Sequence, residues 1–158
     1  MLNIIKKIQT VPFISKYLLN HYAPFKGAGI SIDQFDLKNH HIRITMPITN
    51  KNRNIVGTHF GGSLYAMVDP FYMLILLHHL GPKYIVWDKA ATINFLAPGR
   101  STVYADIRLD AAEIEEIKTL AADYTAIYRN YIVNIFDDSG LRIAEVHKTL
   151  YIRRKKAK

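Results

Sequence analysis

The 158-residue chain contains no cysteine, so disulfide bonds, thiolate zinc sites and cysteine nucleophiles are all excluded. It also lacks an uninterrupted apolar run long enough to span a bilayer, because its most apolar stretch, residues 64–80, includes a carboxylate, a proline and two histidines. No acidic residue precedes Asp33, and no small-residue cleavage site for secretion follows the basic amino terminus. We therefore expect a soluble cytoplasmic protein whose basic first segment packs on the protein body rather than on a membrane surface.

Positive charge is abundant but unevenly distributed. The net charge is +8, yet five positive charges lie in the last six residues, so the rest of the chain carries only +3. Such a run, here residues 153–158, predicts a solvated basic tail. It also suits a phosphorylated ligand, whereas nucleic-acid binding is not expected because no recognition motif accompanies it.

Apolar periodicity predicts one domain over residues 1–158. Residues 1–22 predict one or two short helices, with Ile4, Ile5 and Ile8 on one face, and Pro24 and Gly27 end the segment. Six segments have the alternation or composition of strands: 30–32, 42–46, 84–96, 102–111, 124–136 and 141–152. Residues 112–122 predict a short helix or an ordered loop.

The longest apolar element, residues 61–80, follows the second strand and is hydrophobic nearly all round, which indicates a buried central helix. Pro70 removes one backbone hydrogen bond and should kink this helix beside Asp69. A sheet that curls around a lone helix buries that helix on all sides. The predicted fold class is therefore α+β: an antiparallel sheet of about six strands wrapped around one long central helix, with an extra amino-terminal helical segment.

The segment from Asn54 to Asp69 carries the clearest chemical signal. Gly61 and Gly62 at the predicted helix start leave backbone N–H groups open to a negatively charged oxygen, and a carboxylate in an apolar helix must be paired, neutralised or used. Each residue also has a structural interpretation. The glycines allow close packing, Asp69 could cap the kink or pair with Lys89 or His59, and Asn54 could form an ordinary Asx turn.

The chain resembles the hotdog-fold thioesterases, most closely an uncharacterised branch, a domain of unknown function related to the phenylacetate-pathway acyl-CoA thioesterases. The resemblance rests on Asn54, Gly57-Thr58, Gly61-Gly62, Asp69, Trp87-Asp88-Lys89 and the run Phe95-Leu96-Ala97-Pro98-Gly99. It implies hydrolysis of an acyl-CoA or acyl-carrier-protein thioester. No cofactor is expected beyond the CoA or carrier that belongs to the substrate, and no metal site, since His78 and His79 lack ligand spacing.

The resemblance also implies roles for individual residues. Asp69 is the expected general base, with a nucleophile that forms an anhydride as the alternative. The Gly61 N–H polarises the thioester carbonyl, and Asn54 anchors the loop. The expected substrate contacts are His59, Phe60, Gly62, Tyr65, Asp88, Lys89 and Arg100, with an acyl tunnel in the region of Tyr65, Met67, Phe71 and Met73. Phe60 occupies the position where these thioesterases have a histidine, and His59 lies one residue earlier.

Gly61 and Asp69 are eight residues apart, about 12 Å along one helix, which is too far for both to contact one carbonyl. We therefore expect a homodimer, with possible pairing into a tetramer, in which each site combines Gly61 of one subunit with Asp69 of the other. Two alternatives remain. One is a non-catalytic acyl-CoA or fatty-acyl binding protein, and the other is a dehydratase or hydratase that uses His59.

Overall fold

The computed structural model describes residues 12–156. In chain order its elements are α1 (Pro12–Asn20), α2 (Ala23–Ala28), β1 (Ser31–Asp36), β2 (His41–Met46), α3 (Gly61–Ala66), α4 (Phe71–Leu80), β3 (Tyr84–Phe95), β4 (Val103–Arg108), α5 (Ala111–Leu120), β5 (Ile127–Asp137) and β6 (Arg142–Arg154). The predicted apolar face of Ile4, Ile5 and Ile8 lies outside the described residues.

The two helices that precede the sheet meet near the predicted end of the amino-terminal segment. Pro24 does not end this segment as predicted; it lies in the first turn of α2, where a missing N–H costs little. α2 ends at Gly29, whose φ of 73° lies in the left-handed region that glycine adopts readily. The Ile30 N–H donates to the Phe25 carbonyl at 2.9 Å and closes the end of α2, and β1 begins at the next residue.

Within residues 12–156, six strands form one antiparallel sheet in the order β1-β2-β4-β5-β6-β3, which confirms the predicted sheet. β3 therefore lies at an edge and pairs only with β6. β4 ends earlier than predicted because Asp110 caps α5, accepting a hydrogen bond from the Ala112 N–H at 2.9 Å. β6 continues to Arg154, so the first two residues of the predicted basic tail belong to a strand, although Arg153 is exposed as expected.

The predicted central helix is two helices rather than one. α3 and α4 are separated by residues 67–70, so the kink expected at Pro70 is a complete break in the helix. Met67, Val68 and Phe71, which lie in or beside the break, are fully buried. The break therefore lies inside the core, and it places the polar residue Asp69 next to that core.

One hydrophobic core joins α3 and α4 to the inner face of the sheet. Its fully buried members include Ile75 and Leu76 from α4 and Val146, Leu150 and Ile152 from β6. The architecture is the α+β arrangement predicted from the sequence. No helix within the described range is long and apolar enough to cross a membrane.

Candidate active site

The loop before α3 is closed by the side chain of Asn54. Its Oδ1 accepts hydrogen bonds from the N–H groups of Val56 and Thr58 at 3.1 and 3.0 Å, and its Nδ2 donates to Thr58 Oγ1 at 2.8 Å. The turn has a φ of 83° at Gly57, which glycine adopts without strain. These contacts are those of an Asx turn, so Asn54 shapes the loop that leads to α3.

The His59 ring is buried between this loop and the segment after β3. Its Nε2 lies 2.9 Å from the Ser101 carbonyl oxygen and therefore donates to it. Burial lowers the pKa of His59, against a weaker opposite effect of that hydrogen bond, so the ring is neutral and its Nδ1 is an acceptor. Nδ1 is buried and has no hydrogen-bond partner among the described residues. We expected His59 to contact the substrate, and the one N–H of its neutral ring already donates to Ser101.

Two surface clefts meet at Gly61, the first residue of α3. The first has a volume of about 470 Å³ and lies between the loop of Asn54 and the segment after β3. The second has a volume of about 410 Å³ and is lined by Gly61, Gly62, Tyr65, Ala91, Ile93 and Phe95. Phe60 is 58% exposed and its ring lies against Gly62, where a β-carbon would stand 2.5 Å from Phe60 Cε1. The structure thus brings together the predicted residues Gly61, Gly62 and Tyr65 at one cleft.

The carboxylate of Asp69 is held from two sides. The Tyr65 hydroxyl donates to Asp69 Oδ1 at 2.6 Å, and the Lys148 ammonium donates to the same oxygen at 3.1 Å and also to the Asp69 carbonyl. Burial, followed by the hydrogen bond and charge of Asp69, raises the pKa of the Tyr65 hydroxyl, which therefore stays protonated. The Asp69 side chain is 42% exposed, so the carboxylate is anchored and still open to the surface.

Asp88 completes this cluster from the edge strand β3. Its Oδ1 lies 2.8 Å from Lys148 Nζ, and the Lys148 side chain has no exposed surface. Burial raises the pKa of the Asp88 carboxyl, an effect that Lys148 partly offsets. Asp69 and Asp88 therefore share one buried ammonium, and neither pairs with Lys89 or His59.

A β-bulge at Lys89 lets the strand β3 contribute both to the Lys148 ion pair and to the second cleft. The register with β6 shifts between Asp88 and Ala90, which leaves Lys89 as the extra residue. Asp88 faces the helices before the bulge, where it reaches Lys148, and Ala91 lines the second cleft after it. In a regular strand Asp88 and Ala91, three residues apart, would point to opposite faces of the sheet. The bulge brings both side chains to the same face.

Sequence reasoning missed Lys148, the residue that links the two carboxylates. The signal was present in the alternation of β6, in which Val146, Leu150 and Ile152 are buried and Lys148 falls in the same phase. A lysine at an inward position of a strand must find an acid partner. The identity of that partner could not be read from the sequence, since Asp69 lies 79 positions away.

The remaining predicted contacts are more peripheral. Lys89 is exposed and lies over the Tyr128 ring, with Nζ 4.3 Å from the ring centroid, and Arg100 is exposed beside the first cleft. Met67 and Phe71 are fully buried in the core of the protomer and line neither cleft, and the tunnel between subunits stays a prediction. Of the residues predicted for the tunnel, Tyr65 lines the second cleft.

The family model described as Domain of unknown function (DUF4442) matches residues 12–152. The chain belongs to this family. The match covers every helix and almost all of every strand described above. No curated protein matches the chain in sequence.

Solved structures similar to this DUF4442 chain have the hotdog fold and confirm the predicted fold class. A protein of unknown function from Pseudomonas aeruginosa, PA5026, named a probable thioesterase, superposes with a TM-score of 0.81 at 20% identity, covering 90% of this chain and 95% of that one. The Haemophilus influenzae thioesterase HI1161 gives a TM-score of 0.66 at 19% identity, covering 91% of each chain. The E. coli PaaI protein from the phenylacetic acid degradation operon gives 0.58 at 19% identity, covering 90% of this chain and 91% of that one. At these identities the similarity establishes the fold alone.

Proposed function

We propose that this protein hydrolyses acyl thioesters of CoA or of an acyl-carrier protein, with Asp69 as the general base that activates water. The observation that carries the proposal is the way Asp69 is held. Both side-chain hydrogen bonds to its carboxylate from within residues 12–156 end on Oδ1. Oδ2 therefore remains available to a water molecule, and the side chain is open enough for water to reach it.

The second cleft supplies an acyl-binding surface next to this base. Tyr65, which donates to Asp69 at 2.6 Å, also lines the cleft together with the apolar side chains of Ile93 and Phe95. Such a surface suits a fatty-acyl chain, and the neighbouring carboxylate would lie near its thioester end. Lys89 and Arg100 are the exposed cations that we assign to the phosphates of CoA.

Polarisation of the thioester carbonyl is assigned to the first N–H groups of α3, at Gly61 and Gly62, which have no acceptor within the helix. A backbone donor of this kind typically contributes about 3 kcal/mol to transition-state stabilisation. α3 rises about 7.5 Å from Gly61 to Ala66, and Asp69 lies three residues beyond its end, so we do not assign both groups to one carbonyl within a protomer. The proposed site therefore combines Gly61 of one subunit with Asp69 of a second.

The exposed edge strand β3 supports a dimer that would bring these groups together. From residue 90 to residue 95 its side chains are largely exposed, and Phe95 and Leu96 are 58% and 49% exposed. A long edge strand with apolar side chains is a liability in a monomer, because its free N–H and C=O groups invite pairing with another chain. Antiparallel pairing of β3 with its copy would place the α3 helices of the two subunits beside each other.

Hydrolysis of a panel of acyl-CoA thioesters, from short to long chains and including an aryl-acetyl thioester, tests the proposal. We expect free CoA to be released by the wild type and a loss of at least about 100-fold in kcat for Asp69→Asn. Asp123→Asn, an exposed carboxylate near the start of β5, is the matched control and should leave kcat unchanged. Equal activity of Asp69→Asn and the wild type would refute the assignment of the base.

A non-catalytic acyl-binding protein is the second candidate. The observation that favours it is that Asn54 and His59 direct their hydrogen bonds to the chain itself. Tight binding of a non-hydrolysable acyl-CoA analogue by the wild type and by Asp69→Asn, with no CoA released from any thioester, would establish it. A hydratase is disfavoured because His59, its one candidate catalytic histidine, has its Nε2 bonded and its Nδ1 buried.

A further inference from the structure

The most unusual group in the protein is the buried ammonium of Lys148. Complete burial of a charged side chain is costly, and an apolar residue between Val146 and Leu150 would pack on the core without that cost. Replacing buried ion pairs by apolar residues is often neutral or stabilising, so the fold alone gives little reason for a lysine at this position. Its contacts indicate a role in placing other groups.

Those contacts converge on three oxygens. Lys148 Nζ donates hydrogen bonds to the Asp69 carbonyl and to Asp69 Oδ1 at 3.1 Å, and it forms an ion pair with Asp88 Oδ1 at 2.8 Å. Two of the three belong to one residue, so Lys148 holds both the backbone and the side chain of Asp69. The Asp69 carbonyl lies in the break between α3 and α4, where regular helical hydrogen bonding is interrupted.

The geometry points to Lys148 as the positioning residue of the proposed base: it fixes the backbone at the helix break and holds the Asp69 side chain through Oδ1, so that Oδ2 is left for water. Tyr65 from α3 and Asp88 from β3 are the other ionisable groups that face Asp69 from the elements packed around it. Tyr65 reaches only the carboxylate, and Asp88 repels it. Among the side chains of residues 12–156, Lys148 alone donates to the backbone of Asp69 as well as to its carboxylate. This inference rests on the proposed function and adds a residue to it.

A double variant separates positioning from charge balance. Lys148→Met with Asp88→Asn removes one positive and one negative charge together, so the net charge of the cluster is unchanged. The wild type has the same cluster charge and is the charge-matched reference, and Asp88→Asn alone shows the effect of losing Asp88. Methionine suits an inward position on β6, and retention of the fold is checked by circular dichroism. If methionine is not accommodated, Lys148→Gln in the same background takes its place.

We expect kcat of the double variant to fall about 100-fold below that of Asp88→Asn, with KM within about threefold, because a carboxylate displaced by about 1 Å loses its productive geometry. Three-bond NMR couplings that report the Asp69 χ1 angle should indicate one rotamer in Asp88→Asn and an average over rotamers in the double variant. A folded double variant that keeps the kcat of Asp88→Asn overturns the inference and leaves Asp69 as the proposed base. If no thioester is hydrolysed by the wild type, the proposed function fails, and the couplings then decide the inference: a single rotamer in the double variant overturns it.

Discussion

The ring of Phe95 lies against Gly61, so close that a β-carbon at Gly61 would stand 2.7 Å from Phe95 Cζ and 3.0 Å from Cε1. The contact joins the last residue of the edge strand β3 to the first residue of α3. Both residues line both clefts. A side chain at position 61 would therefore have to displace a ring that the proposed substrate would also meet.

Gly61→Ala should push the Phe95 ring into the clefts and lower kcat/KM by about 10-fold or more, mainly through a higher KM. The free energy of unfolding should change by less than about 1 kcal/mol, because the exposed ring can move and alanine favours a helix over glycine by about that amount. Acyl-CoA kinetics and urea unfolding measure the two effects. Phe95→Ala in the same variant should restore most of KM; a double variant as impaired as Gly61→Ala would refute the steric explanation.

Tyr65→Phe tests the second anchor of the Asp69 carboxylate. Loss of the hydroxyl removes one of the two side-chain hydrogen bonds to Oδ1 but leaves Lys148 in place, so kcat should fall by about 10-fold, less than for Asp69→Asn. The free energy of unfolding should decrease by about 1 kcal/mol. Tyr104→Phe, on β4, serves as the control and should keep the wild-type kcat. A loss as large as that of Asp69→Asn would mean that Tyr65 itself participates in the chemistry.

The proposed dimer makes a prediction about mass and activity together. Thr92→Glu places a carboxylate on the exposed edge strand, at a residue that lines neither cleft, where two copies would face each other across a two-fold axis. We expect the wild type to sediment with the mass of two chains and the variant with the mass of one, with hydrolysis lost in the same variant. Ala122→Glu, an exposed residue after α5, should preserve both properties. A monomeric variant with full activity would show that one protomer holds the whole site.

Much of the fold follows from local patterns, and most of the candidate site does not. Alternation placed β6 within a few residues. Pro70 predicted a kink in the central helix because its ring and missing N–H act locally, and the structure has a complete break there. The partners of Asp69 depend on how residues 67–70, between α3 and α4, pack on the sheet, and that packing is tertiary. Lys148 and Asp69 are brought together by that packing alone, 79 positions apart in sequence.

Asn52 illustrates the same limit within a loop. It is 1% exposed, its Nδ2 donates to the carbonyls of Ala28 and Pro47 at 2.8 and 2.7 Å, and its Oδ1 accepts from the Thr49 N–H at 2.8 Å. In sequence it is one of three asparagines in a polar segment, and nothing local distinguishes it from the exposed Asn50. The buried amide is recognisable only once α2 and the loop are packed together.

The ion pair that joins Glu113 of α5 to Arg129 of β5 should make the free energy of unfolding depend on pH. Burial alone would raise the pKa of the Glu113 carboxyl, but hydrogen bonds from Arg129 and Tyr131, at 2.8 Å each, and the Arg129 charge lower it below its usual value of 4.5. A carboxyl whose pKa is lowered by folding stabilises the folded state above its unfolded pKa. That stabilisation is lost as the pH falls below 4.5 towards the lower folded value.

Glu113→Gln should therefore reduce the free energy of unfolding by about 2 kcal/mol at pH 7, and the difference from the wild type should shrink as the pH is lowered towards 3. Urea unfolding across this range measures it. Glu115→Gln on the same helix is the matched control: its carboxylate is 70% exposed and pairs only with Lys118 on the surface, so its effect should stay below about 1 kcal/mol. A Glu113→Gln deficit that is constant from pH 3 to pH 7 would contradict the ionic origin, because a lost packing contact has no pH dependence.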